Sequence, residues 1–153
     1  MTSSTRKIAI GVLVLAVIGL FVIGFVMGAV VYGWKAAQRA GNEAATVQDL
    51  KTIAAVEIQY YNIHDSTFGT IDQLVKEKLL ASKFAGDPST ADGYVFNLKV
   101  MPKTSGQPSS FMLNADPESE ARGSRHFYFD STSVAIHANP DGPAGPNDPS
   151  LKD

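Results

Sequence analysis

Residues Ile8 to Trp34 read IAIGVLVLAVIGLFVIGFVMGAVVYGW, and this run decides how the chain is organised. It contains no charged residue and no Asn, Gln, Ser, Thr or His. A hydrocarbon core of about 30 Å needs roughly 20 apolar residues at 1.5 Å rise, so the run is long enough to cross a bilayer as a helix. Arg6 and Lys7 precede it; Tyr32, Trp34 and Lys35 close it, placing basic and aromatic side chains at both headgroup zones. A cleaved signal sequence would have a shorter apolar run, of about 7–15 residues, ending at a small-residue cleavage site. A buried soluble helix of this length would need more surrounding chain than follows Trp34. The run therefore predicts an uncleaved transmembrane helix over 8–34, after a short tail at 1–7.

Outward from the anchor, the composition turns polar and acidic. From Lys35 there are 11 Lys/Arg against 15 Asp/Glu, with no basic cluster, which argues against nucleic acid and against an anionic-lipid surface. The chain has no cysteine, which excludes disulfides, thiol catalysis and cysteine-based zinc sites. Arg6 and Lys7 are balanced by Lys35 and Arg39, so the short N-terminal tail decides the expected orientation: N-terminus cytoplasmic, domain outside.

All eight prolines lie at Pro88 or later, so the first half of the chain is the helical half. Ala36, Ala37, Ala40, Ala44, Val47, Leu50, Ile53, Ala54 and Ile58 recur at three- and four-residue spacings, the mark of one helix face. Gln38, Arg39, Glu43, Gln48, Asp49 and Lys51 are expected on other faces. The helix should run to about Asn62, weakened at Gly41. Thr70 can cap a short second helix in which Ile71, Leu74, Val75 and Leu79 share a face.

Beyond Asp87-Pro88 the period changes to two. Tyr94–Val100, Phe111–Ala115, Arg125–Asp130 and Val134–His137 read as four strands of an antiparallel meander, with Phe127 and Phe129 facing the helix. The globular domain is expected over 35–139. The remaining 140–153, with proline at every third position from Pro140 to Pro149, reads as an extended or disordered tail. The expected fold class is α+β: a long transmembrane and amphipathic helix packed on a four-stranded sheet.

Several short motifs follow one another in an order that resembles the type IV pilins and pseudopilins. Arg39-Ala-Gly-Asn-Glu-Ala-Ala-Thr-Val-Gln-Asp-Leu-Lys-Thr-Ile53 is similar to their Asn-Glu-Ala…Leu-Arg-Thr-Ile stretch. Tyr60-Tyr61 with Phe68-Gly69-Thr70 and Leu74 resembles their helix end and the loop after it. Gly93–Phe96, Asn114–Pro117, Gly123–Tyr128 and Asp141–Ala144 are similar to their strand and C-terminal motifs. The resemblance implies a bacterial inner-membrane protein working through contacts with other pilin-like, pilus or secretion-machine proteins. The peptidase signature and early glutamate of pilin precursors are absent: the corresponding segment is Ile8–Ala16, without a carboxylate. A carboxylate inside the bilayer is costly and marks a function. Its absence favours a fixed anchor, not processed, over a filament subunit, which is the alternative reading.

Candidate sites are few. Gly24 and Gly28 form a Gly-x-x-x-Gly pair that can bring two membrane helices together, allowing self-association. Asp141, Asn147 and Asp148 are calcium candidates, because some pseudopilins carry such a site near the C-terminus, and a calcium- or ligand-responsive module is the second alternative. Calcium wants six to eight oxygens, and these residues also suit ordinary turns. No other cofactor is expected. His64, His126 and His137 are the candidates for acid–base chemistry, but His126 and Asp130 stand about 13 Å apart along one strand, and no nucleophile, metal or phosphate motif accompanies them. An enzyme is not expected.

Overall fold

The computed structural model describes residues 3–133 and 135–151, with side chains from residue 11 onward apart from 12 and 14. The side chains of Arg6 and Lys7, and Val134 at the expected start of the last strand, lie outside the described residues. Helix α1 is Ser3–Ile63 and is continuous through Gly41. The chain separates into two compact units, one ending at Ala37 and one beginning at Gln38.

In the first unit, Leu13, Leu15 and the large apolar side chains through Trp34 are 45–83% exposed. Among the described residues, α1 is the one helix long and apolar enough to span a membrane.

The second unit is α+β. A sheet of five antiparallel strands runs in chain order: β1 Ser89–Ala91, β2 Tyr94–Met101, β3 Ser110–Pro117, β4 His126–Asp130 and β5 His137–Asn139. The expected count of four misses β1, which joins β2 through Asp92-Gly93, both residues at positive φ. That geometry is the two-residue hairpin turn that Asp-Gly favours. The last strand also starts later than the expected 134–137, at His137. Registers Leu98↔Leu113↔Phe129 and Phe96↔Ala115↔Phe127 place these apolar residues on one face. That face meets Leu50, Ile53 and Tyr60 of α1, and Leu74, Leu80 and Phe84 of the segment between helix and sheet. Each such side chain contributes about 1.5–3 kcal/mol by leaving water.

The buried stripe of α1 differs from the expected one. It follows Glu43, Thr46, Asp49, Leu50, Ile53, Ala54, Glu57 and Tyr60, while Ala36, Ala37, Ala40, Ala44 and Ile58 are exposed. Leu50, Ile53 and Ala54 hold as expected, but Glu43 and Asp49 turn inward because distant partners satisfy their carboxylates. The short helix α2, Ile71–Lys76, begins with a full capping box: the Gln73 N–H donates to the Thr70 hydroxyl and the Thr70 N–H to the Gln73 side chain.

The segment after β5 is bonded to the sheet rather than extended away from it. The Ala138 N–H donates to the Pro149 carbonyl and the Leu151 N–H to the Ile136 carbonyl. Asn114, Tyr128 and His137 are neighbours across β3, β4 and β5 on the face opposite the phenylalanines. The Asn114 amide donates to the Ala144 carbonyl at 2.9 Å, and both Tyr128 and Ala144 are buried.

Candidate functional site

The buried carboxylates of α1 organise the second unit. Asn42 and Glu43 face the loop between β3 and β4. The Ser124 N–H and hydroxyl each donate to Glu43 Oε1 at 2.9 Å, and Arg125 Nε donates to Oε2 at 2.7 Å. One residue earlier, the Asn42 amide donates to the Arg122 carbonyl at 2.8 Å. Burial alone would raise the Glu43 carboxyl; the Ser124 N–H, Arg125 and the Ser124 hydroxyl together hold it below its ordinary value. The loop can lie this close because Gly123 has no side chain: a Cβ there would overlap the Tyr94 ring. The Tyr94 hydroxyl completes the clasp, donating to the Arg125 carbonyl at 3.0 Å.

Two turns along the helix, the Lys83 ammonium donates to both oxygens of Asp49, at 2.7 and 2.8 Å, and to Asp92 at 2.8 Å. One cation thus ties the helix to the β1–β2 turn. Burial works against the charged Lys83, but the two carboxylates raise its pKa above the ordinary value.

Near the end of α1, Glu57 is fully buried. Its Oε2 accepts the Gly69 N–H at 2.9 Å, and Oε1 has no hydrogen-bond partner among the described residues. Burial raises this carboxyl to about 7, against the opposing effect of the Gly69 N–H.

A cleft of about 350 Å³ opens beside the Glu43 clasp, lined by Arg39, Glu120, Ser124, His126 and Asp141 among others. The Nε of Arg39 is buried and has no hydrogen-bond partner among the described residues.

The three histidines occupy separate sites. His64 pairs with Glu77 at 2.8 Å and stacks on Tyr60. His126 Nδ1 meets Asp116 at 2.5 Å, and His137 Nδ1 donates to the Asp148 carbonyl at 2.6 Å. Asp130 accepts from Tyr128, Thr132 and Ser133, which turns the end of β4 rather than serving His126. Asp148 shapes the C-terminal turn: one carboxylate oxygen accepts the Gly145 N–H and the other the Asn139 amide. Asn147 is exposed, and Asp141 lines the cleft with Arg39. Gly24 and Gly28 both face open space.

Glu43, Asp49 and Glu57 escape sequence reasoning as site residues because charge on a helix signals solvent by default. For Glu43 and Glu57 the usable signal is their place in the series 43, 46, 50, 53, 57, 60, which keeps the spacing of a buried stripe, and Asp49 falls beside it, three residues after Thr46 and four before Ile53. Comparison with known protein families, curated proteins and solved structures finds no match.

Proposed function

We propose that this chain is a single-pass, membrane-anchored, pilin-like structural protein that keeps its N-terminal segment and acts through protein–protein contacts. The observation that carries the reading is the uncharged run from Ile8 to Trp34, whose described large side chains are 45–83% exposed. So much apolar surface on one helix is not tolerated in water and suits lipid. The pilin-like reading rests on the ordered motifs and on their use here: the Asn42-Glu43 pair and Gly123-Ser124-Arg125 form one clasp. The host membrane is then the bacterial inner membrane, with the sheet domain outside. Its partners are other pilin-like proteins or the parts of a pilus or secretion machine.

The test is fractionation of native cells with intact-mass measurement and N-terminal sequencing. Unprocessed protein confined to alkali-resistant membranes is the expected result. Recovery from sheared extracellular fibres would replace this reading with a filament subunit, and recovery from the soluble fraction would remove the anchor.

A further inference from the structure

Strand β1 covers only the first part of β2. Its pairs are Ala91↔Tyr94, Thr90↔Val95 and Ser89↔Phe96, and beyond Phe96 β2 has no strand on that side among the described residues. The two-residue turn makes Ala91↔Tyr94 a pair that exchanges both backbone bonds, and antiparallel alternation gives Ser89↔Phe96 the same character. By that alternation the N–H and C=O of Leu98 and of Val100 point out of the sheet at the open edge. Residue 87 would face Leu98 if β1 continued, but the strand stops at Ser89.

A groove of about 340 Å³ lies where this edge opens, walled by the first turn of α2, residues 86–88 and β2 up to Leu98. Asp72 and Asp87 stand on its wall, both exposed, and neither has an ion pair among the described residues. Among the described residues, no basic side chain lines it. Ser89, also on the wall, is 5% exposed and shares the face of Phe96, and its Oγ has no hydrogen-bond partner among the described residues. A buried hydroxyl left unbonded costs free energy, so an occupant that bonds it is favoured. Lys99 is exposed and, by alternation, projects from the opposite face of the sheet.

The outward N–H and C=O of Leu98 match an extended backbone, which brings one acceptor and one donor at the same spacing. A side chain opposite Leu98 on an added strand shares its face, which is also the face of Ser89 and Phe96. There it meets two carboxylates and a hydroxyl oxygen, acceptors with no cation of their own. A lysine ammonium has three N–H donors and one positive charge, whereas an acidic side chain is repelled. We propose that the open edge of β2 binds an extended segment of a partner protein by strand addition in the direction of β1. A lysine of that segment lies opposite Leu98, its ammonium held by Asp72, Asp87 and Ser89. The groove belongs wholly to the second unit, so this binding depends neither on the membrane segment nor on the pilin-like reading.

The test uses the full isotope-labelled chain in neutral detergent micelles, titrated with the peptide acetyl-Thr-Thr-Lys-Thr-Thr-amide and followed by amide NMR. Saturable shifts at Leu98 and Val100, with a Kd below about 5 mM, are expected. Glutamine in place of the peptide lysine should weaken binding about tenfold, and glutamate should abolish it. Trimethyllysine keeps the charge but has no N–H, and should bind as weakly as glutamine. Methylating the backbone nitrogen of the lysine removes the donor to Leu98 and should abolish binding. Asp72→Asn with Asp87→Asn should bind the lysine and glutamine peptides equally, and Ser89→Ala should lower the lysine preference. Circular dichroism checks that each variant folds; should Ser89→Ala fail to fold, the double variant decides. No saturable shift, equal binding of the lysine and glutamate peptides, or an undiminished preference in the double variant overturns the proposal. Binding of the N-methylated peptide or of butylammonium as tight as that of the parent peptide overturns strand addition. Calcium chloride binding at the same amides more tightly than the peptide makes the groove an ion site and overturns the peptide occupant.

Discussion

Glu57 Oε2 receives the Gly69 backbone N–H at 2.9 Å while its other oxygen, fully buried, receives no hydrogen bond from the described residues. One hydrogen bond joins the last turns of α1 to the loop that leads into α2. It is made to a carboxyl whose charged form the surroundings disfavour, so Glu57 is protonated in the folded state up to about pH 7. In the unfolded chain it ionises near its ordinary value of 4.5.

Stability should consequently fall as pH rises from about 4.5 to about 7, because over that interval the folded state holds a proton that the unfolded state has released. Glu57→Gln keeps the acceptor for Gly69 and removes the titration. Thermal melts at pH 5 and pH 8 should show the variant gaining on wild type at the higher pH, by up to about 3 kcal/mol. A pH-independent difference between the two proteins would contradict this account.

Glu43 titrates in the opposite sense. Its folded value lies below the ordinary one, so its contribution is present above the unfolded pKa and is lost as pH falls through the folded value. Glu43→Ala should cost about 2 kcal/mol at pH 7, since it leaves the Ser124 N–H and Arg125 without their acceptor. Denaturant titrations at pH 7 and pH 3 should show the gap narrowing in acid.

Gly123→Ala should destabilise by about 1–3 kcal/mol, the usual cost of forcing an extra carbon into packed space, here against the Tyr94 ring. Gly106→Ala meets nothing within 4 Å and is the control, expected to lie within about 0.5 kcal/mol of wild type. Equal melting temperatures for the two variants would show that the loop is not held against Tyr94.

Ending the chain at Asn139 removes the Ala144 acceptor of Asn114 and the Pro149 and Leu151 backbone bonds beside the buried Tyr128 strand. The melting temperature should fall by the equivalent of about 2 kcal/mol, since three hydrogen bonds to the sheet are lost. An unchanged melt would mean that the segment adds no stability.

What the sequence shows plainly is local. The capping box at Thr70 and Gln73 lies within one turn, and the phenylalanine alternation of β4 within five residues, so both can be read without knowing the fold. The inward turn of Glu43 and Asp49 cannot, since their partners lie 82 and 34 residues away. Strand β1 is three residues long, too short for a period, although Asp92-Gly93 marks its hairpin. The proline repeat after Asn139 suggested chain without partners because it has no hydrophobic period. Its attachment uses backbone carbonyls instead, those of Ala144, Asp148 and Pro149, which any residue type supplies.

The span of the Glu43 clasp also sets an order of events. Ser124 and Arg125 lie 81 and 82 residues beyond Glu43, whereas the β1–β2 and β2–β3 pairings join near neighbours in the chain. Contacts with so large a closure entropy form after local ones. The meander should therefore assemble first and engage the helix afterwards, and the Ser124 amide should exchange its hydrogen sooner than amides at the centre of β3. The clasp is in this sense a reversible fastening, able to let go of the 122–125 loop while the sheet stays whole.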